Sequence, residues 1–544
     1  ITRWRNIVKI LFNVCDALFQ ICCRGGSSCW FGGGSGCRLS SSWSRSGSCW
    51  GGSRSSSRCG GRRILCPGRT GVEGDGCPSA RLLSVNTYLK LLLVLLLFEP
   101  GPAFAQNSSA PQLITTFTNP TPAFGENFGV SVAAMGTDRV LVGTDSGAAA
   151  YLFHTSGTLL TTFTISDPAA GGFGNPVVAV GEDRVLISAF SYGTTAQNGR
   201  AYLFSTEGTL QTTFTNPNPA RVQAFGVSVA ALGSNLVLIG GVADRSKGPP
   251  YLGAVYLLST NGALLNTFTN PTPAIANTFG VAVAAVGSDR VIIGAPDANT
   301  GANRAGTAYL FSTNGTLLTT VTNPVPVAAD NFGFAVAAVG SDRVLIGAIA
   351  DGGGASGGAA YLFSTNGTLI TTFTNPTPAA GDHFGQSVAA VGTNRVLIGA
   401  NSDDTGAVNA GAAYLFSTEG TLITTLTNPT PAVADLFGFS VAAVGKDQVL
   451  IGAFLDNTGA TDAGAAYLLD LPYPPLSIAR DGAAVSLKWT TPETGLGLQQ
   501  ADALGTSTEW SNVTTSVAIA GQTNVVQQPI EGGNTHRFFR LRRP

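Results

Sequence analysis

The dipeptide Phe-Gly recurs seven times, at Phe128, Phe173, Phe225, Phe279, Phe332, Phe384 and Phe437, at intervals of 45 to 54 residues. A period of that size forces a modular fold. One unit of this length cannot bury its apolar face alone and must share a core with its neighbours. Two further markers keep the same count. A Tyr-Leu-Phe or Tyr-Leu-Leu triplet follows each Phe-Gly, beginning at Tyr151, Tyr202, Tyr256, Tyr309, Tyr361, Tyr414 and Tyr467. Segments like Thr371-Thr372-Phe373-Thr374-Asn375-Pro376 also occur seven times.

The fourth copy shows how a unit is built. Phe279 to Val286 reads as a first strand, and Gly287-Ser288-Asp289 as the tight turn a hairpin needs. Val291 to Ala295 is a continuous apolar run, as in a strand covered on both faces. After a loop from Pro296 to Ala305, Gly306 to Phe311 forms a third strand. Asn314-Gly315 turns into a fourth, Thr316 to Thr322, which alternates polar and apolar residues. Four antiparallel strands repeated seven times predict an all-β chain: a seven-bladed β-propeller over residues 113–471. A straight solenoid would need distinct capping repeats. Here Leu113 to Thr118 is a fourth-strand sequence that precedes any first strand, and the last copy stops at its third strand, Tyr467 to Leu471. Residues 113–118 are therefore expected to complete blade seven and close the ring.

With Phe279-Gly280 and Gly294-Ala295-Pro296 in the fourth copy, and Phe384-Gly385 and Gly399-Ala400 in the sixth, the unit resembles the FG-GAP repeat. That repeat is found in integrin α-chain propellers and many exported bacterial proteins. The resemblance covers about 360 residues and implies fold more than function. Integrin-type repeats often hold calcium in an Asp-x-Asp-x-Asp-Gly loop between the first two strands. Here that loop shrinks to Gly287 to Arg290, Gly340 to Arg343 or Gly392 to Arg395. One carboxylate cannot supply the six to eight oxygens Ca²⁺ takes, so a calcium-loop-free type with no cofactor is expected. Asp289 and Asp342 read as turn residues, with Arg290 and Arg343 on a solvated rim.

In the resembling architecture the second-to-third and fourth-to-first strand loops share one face, usually the ligand face. The former carry Asp297, Asp351, Asp403, Asp404 and Asp456, and the latter carry Glu126, Asp330, Asp382 and Asp435 just before Phe-Gly. Two readings stand. The carboxylates form an acidic ring that binds a glycan, a protein or Ca²⁺, or they are the ordinary chemistry of turns on a solubilising rim. The three histidines, His154, His383 and His536, have no nucleophile and acid partners in any recognisable pattern. The blades read as nearly interchangeable, whereas one active site needs particular residues from particular blades. The expected occupation is non-catalytic binding or adhesion, by a monomer. A hydrolytic propeller acting on carbohydrate and a structural envelope or matrix component are the alternatives.

Composition limits what surrounds the ring. With 70 Gly, 28 Pro and 11% charged residues the composition argues against a helical protein, and a net charge of −1 offers nothing to nucleic acid. Residues 81–105 read as a secretory signal: Arg81 and Lys90, the apolar run Leu91 to Phe98, and Ala103-Phe104-Ala105 before Gln106. That implies a secreted or cell-surface protein cleaved near Ala105. All nine cysteines, Cys15 to Cys77, precede it in a Ser/Gly/Arg-rich stretch. Residues 1–80 are then non-native upstream translation or disordered, with a metal or disulfide module as the alternative. After Pro475 the pattern changes to short strands, a β-sandwich-like domain over 476–544 with Trp489, Trp510 and Phe538-Phe539 as its candidate core. Its ending resembles short C-terminal modules of exported bacterial proteins, implying surface attachment or sorting. A plain accessory domain is the other reading.

Overall fold

A computed structural model describes residues 110–542, except 147–148, 167–171, 191–198, 220–221, 223, 243–252, 273–277, 351–356, 473–475, 482–483, 491–496, 502–508, 521–522 and 530–536. The chain divides into two units, Ile1–Val94 and Leu95–Pro544, and every described residue belongs to the second. The segment expected to be an export signal, the cysteine-rich stretch, Asp351 and His536 lie outside the described residues.

Among the described residues every regular element is a strand. Seven antiparallel four-stranded sheets follow one another, each with its strands in sequence order. The exception is the last, in which Gln112–Thr118 lies outside Ala465–Asp470, pairing Thr116 with Tyr467 and Thr118 with Ala465. Blade seven is thus built from both ends of the repeat array. The ring is closed: Ser131–Met135 of blade one adjoins Ser440–Val444 of blade seven, just as successive innermost strands adjoin elsewhere. A solenoid is excluded.

The core lies between blades rather than within them. In each blade the second and third strands are buried along nearly their whole length, as in Arg343–Ala348 and Ala359–Ser364. The fourth strand is mostly exposed and buries one residue, such as Phe373 of Leu369–Thr374. One apolar cluster bridges blades four and five, joining Ile292, Leu310 and Val321 to Phe332, Ile346, Tyr361 and Phe363. An equivalent cluster closes the seam, where Phe117, Leu450 and Leu468 of blade seven meet Phe128, Val142, Tyr151 and Phe153 of blade one. The Phe of each Phe-Gly is the keystone. Phe332 lies 5.7 Å from Tyr361 and 6.0 Å edge-on from Phe363, and Phe384 repeats this with Tyr414 and Phe416.

The Gly of the pair makes a backbone bulge. Ladder pairing jumps from Phe332 to Ala335, and Gly333 adopts φ +92°, which only glycine takes without strain. In blade four Gly280 has the same left-handed backbone, at φ +95°, and the first strand runs Ala282–Val286 rather than from Phe279.

Arg290 and Arg343 are not on a solvated rim. Each side chain is three-quarters or more covered and donates Nη2 to the next blade's turn, to Ser341 O at 2.6 Å and Thr393 O at 2.5 Å. Arg139, Arg184 and Arg395 make the same bond to Glu182 O, Ser234 O and Lys446 O. The turn acids Asp289 and Asp342 lie beside these guanidinium groups, at 3.4 and 3.6 Å.

The C-terminal segment holds two small sheets. Ser477–Asp481, Ala484–Thr490, Thr523–Pro529 and Ala518–Ala520 form one; Ser511–Asn512, Gly497–Ala501 and Phe538–Arg542 form the other. Its core is Leu476, Leu487, Trp489, Leu498, Val526, Phe539 and Leu541. Two sequence expectations are corrected. Trp510 stands outside that core beneath the Arg540 guanidinium, 4.2 Å from its centroid, a cation–π contact. Phe538 is only half-buried because it alternates with Phe539 along the strand.

Candidate ligand face

The carboxylates that mark the loops do not form an exposed acidic ring. Asp330, Asp382 and Asp435 are all buried. Each holds its own fourth-to-first loop together through a single oxygen. Asp330 Oδ2 accepts from Asn323 Nδ2 at 2.8 Å and from Val327 N at 2.6 Å. Asp382 does the same with Asn375 and Ala379, both at 2.7 Å, and Asp435 with Asn428 and Ala432 at 2.8 and 2.7 Å. Glu126 takes this part in the first loop, accepting from Asn119 and Ala123. The Asn carbonyl meanwhile accepts the N–H two residues on, an Asx turn, as Asn323 does from Val325 at 3.0 Å.

A second buried pair anchors the other loops. Asp403 and Asp456 each accept the hydroxyl of a strand-three tyrosine, Tyr414 or Tyr467, at 2.6 Å. Each also accepts the backbone N–H two residues on, from Thr405 or Thr458, at 2.8 Å. Burial, and then this bond to a carboxylate, pushes both tyrosines well above the ordinary phenol range. Blade four departs. Ala298 stands where blade six has Asp403, and Tyr309 pairs with Thr272 at 2.6 Å instead. Its Asp297 sits one position earlier and binds Arg304 Nε at 2.7 Å and Thr278 Oγ1 at 2.9 Å. Among the described loop acids only Asp404 is exposed, and it accepts from Asn409 N at 2.8 Å. Among the described residues no cluster of three or more His, Cys, Asp or Glu is placed to hold a metal ion.

In blade seven the two systems touch. Asn428 Nδ2 donates to both Asp435 and Asp456, the latter at 3.1 Å. Burial, helped by the Asp456 charge and opposed by the Ala432 N–H, pushes the Asp435 carboxyl up to about 6. Its folded pKa lies above its unfolded value, so the folded state holds an extra proton between about pH 4 and about pH 6. Stability from this group is therefore lost as pH rises through that window. Asp435 Oδ1 has no hydrogen-bond partner, and both bonds fall on Oδ2, which an asparagine oxygen can replace. Asp435→Asn is expected to raise stability by about 1–3 kcal/mol at pH 7.5 and by little at pH 4. Urea unfolding at both pH values reads this, and a gain independent of pH would sink it.

The blades differ where their two innermost strands end on this face. Just before Phe-Gly stand Asn331, His383 and Leu436 in blades five to seven, all with left-handed backbone at φ +57°. Asparagine tolerates that conformation, whereas leucine there is a strained choice that local backbone preference does not explain. Just after Phe-Gly come Phe334, Gln386 and Phe439, and just after Gly-Ala come Ile349, Asn401 and Phe454. All are half-buried except Asn401, which is buried. His383 Nδ1 lies 3.2 Å from Ser402 Oγ, and burial lowers the imidazole's pKa, so the ring is neutral near pH 7. His154, by contrast, meets only Ser156, two residues on. Interchangeable blades were expected from the sequence; they are interchangeable in their scaffold but not at these positions.

The FG-GAP repeat family model matches residues 320–363, 370–416 and 421–469. Each match runs from a fourth strand, through the next Phe-Gly and Gly-Ala, to the following Tyr-Leu-Phe or Tyr-Leu-Leu. The protein is a β-propeller that carries FG-GAP repeats. Its Phe-Gly bulge and Gly-Ala strand end are the two halves of one contact: a Cβ on Gly347 would collide with the Gly385 carbonyl of the next blade. Among solved structures, that of U3-55K is similar at 10% identity over 66% of this chain and all of that one, with a TM-score of 0.47. The WD40 β-propeller domain of Doa1 is similar at 12% identity over 66% of this chain and 97% of that one, with a TM-score of 0.41. No curated protein matches the chain in sequence.

Proposed function

We propose that this FG-GAP propeller is an exported, non-catalytic binding protein that holds an extracellular glycan or protein on its loop face. The C-terminal sheets would serve for attachment to the cell surface. One observation carries the reading. The loops spend their carboxylates on holding themselves rigid, while side chains at the inner strand ends vary from blade to blade. A stiff scaffold with a varied, half-exposed centre suits recognition. Support for a non-catalytic role comes from the two described histidines, whose nearest partners are serines with no carboxylate completing a triad.

The chain from Gln106 onward contains no cysteine, so one introduced thiol can be modified selectively. Val433 is an exposed loop-face residue and Leu318 an exposed outer-strand residue. Val433→Cys carrying a bulky maleimide–polyethylene glycol is expected to lose binding on arrays of extracellular glycans and proteins, and Leu318→Cys carrying it to retain binding. The bound ligand should be recovered chemically unchanged. Equal binding by both conjugates, a cleaved ligand, or no bound ligand at all would overturn the reading.

A further inference from the structure

Seven copies of one unit solve the same packing problem seven times, and positions dictated by packing are filled alike. Residues that differ between blades at one place on the fold are therefore free of that demand, and in blades six and seven they converge. Gly438 is the meeting point. Its carbonyl accepts from Ser387 Oγ at 2.7 Å, it would collide with a Cβ on Gly399, and its own Cβ would lie 3.5 Å from Ala400 N. Gln386, Asn401 and Phe439 directly adjoin Ser387, Ala400 and Gly438, so all three flank one junction. Phe439 packs edge-on against Phe454, with centroids 4.5 Å apart.

The polar side of this junction is incomplete. Asn401 is only 6% exposed, and its Oδ1 has no donor. Its Nδ2 reaches Ser402 Oγ at 3.4 Å, and that hydroxyl faces His383 Nδ1. Buried acceptors in folded proteins are normally satisfied by protein, ordered water or ligand, so this one is open to a donor from outside the chain. The groups here are uncharged: two amides, a hydroxyl and an imidazole kept neutral by burial. The acids next to these groups in sequence are both committed, Asp382 to Asn375 and Ala379 and Asp403 to Tyr414 and Thr405.

We propose that the junction of blades six and seven seats one neutral sugar ring of an extracellular glycan. The C–H face of the sugar lies on the Phe439–Phe454 pair. One hydroxyl donates to Asn401 Oδ1, and others bond to the Gln386 amide and the His383–Ser402 pair. A purely apolar ligand would leave Asn401 Oδ1 buried without a donor, and a charged one would find no counter-charge among these groups. The inference rests on the loop-face binding reading and names its ligand and seat.

The test is a microarray of neutral, sialylated and sulfated oligosaccharides beside extracellular proteins, followed by calorimetric titration of the best neutral binder. Asn401→Leu, Phe439→Ala and Gln386→Ala are compared with Val281→Ala, which changes the residue after Phe-Gly in blade four. Neutral oligosaccharides should bind. Asn401→Leu and Phe439→Ala should each weaken binding by about tenfold or more and Gln386→Ala by less, with Val281→Ala within about twofold of the parent. Melting curves for all four show that the fold is kept, and Gln386→Ala carries the test if Phe439→Ala unfolds. Neutral sugar binding unaffected by these changes overturns the seat. Binding only to charged glycans or to a protein overturns the sugar and leaves the loop-face reading standing. Binding to nothing overturns both.

Discussion

A chain that begins at Asn119, and so lacks Gln112–Thr118, is expected to lose its cooperative unfolding transition and to self-associate. That strand supplies the whole outer layer of blade seven, paired to Ala465–Asp470 from Gln112 opposite Asp470 to Thr118 opposite Ala465. Phe117 is 1% exposed and lies 5.2 Å from Phe153 of blade one, so the strand also helps to seal the seam between first and last blades. Thr115 Oγ1 adds a 2.7 Å bond to Thr155 O across the same seam. Removing it uncovers an apolar third strand whose free edge can pair with another molecule. Phe117→Ala, which keeps the backbone ladder, should cost only about 3–5 kcal/mol, the usual penalty for a buried aromatic. Urea unfolding followed by far-ultraviolet circular dichroism of the sheets, with gel filtration, separates the cases. A peptide of residues 110–120 added in trans should restore the monomer. A truncated chain that stays monomeric with an unchanged transition would show that the ring does not depend on this strand.

The architecture was legible because its signals are redundant: three markers repeat seven times, and a strand out of place at each end of the array implies closure. The duties of the acids were not read, although their trace lies in the sequence. Asn323 and Asp330, Asn375 and Asp382, and Asn428 and Asp435 all keep a spacing of seven residues. Asp403 and Tyr414 share a spacing of eleven with Asp456 and Tyr467. A fixed spacing between an amide and an acid across a Pro-x-Pro loop says the two bind each other, whereas a solvated rim would let it drift. The arginine latches could not be read in this way, because each partner is a backbone carbonyl about fifty residues on, with no side-chain identity to mark it. The meeting of Gln386, Asn401 and Phe439 at Gly438 is likewise a product of how neighbouring blades abut, which no single repeat contains.

The blade-seven network offers the sharpest measure of what those acids contribute. Asn428→Leu is nearly isosteric and removes the one amide shared by Asp435 and Asp456, along with the acceptor for Thr430 N. Two buried carboxylates are then left facing each other, Asp435 with only the Ala432 N–H on its bonded oxygen. At pH 7.5 the expected loss is about 3–5 kcal/mol, the range seen when a partner is taken from a buried charge. At pH 5 the loss should be smaller, because Asp435, with its pKa near 6, is then mostly protonated in the folded protein and the repulsion is relieved. Adding Asp435→Asn to Asn428→Leu should recover part of the loss at pH 7.5. The double-mutant cycle would then report a coupling above about 1 kcal/mol between residues in direct contact. Strict additivity, or a loss below about 1 kcal/mol at both pH values, would mean that the acids are held by their backbone bonds alone and that the shared amide is incidental to the fold.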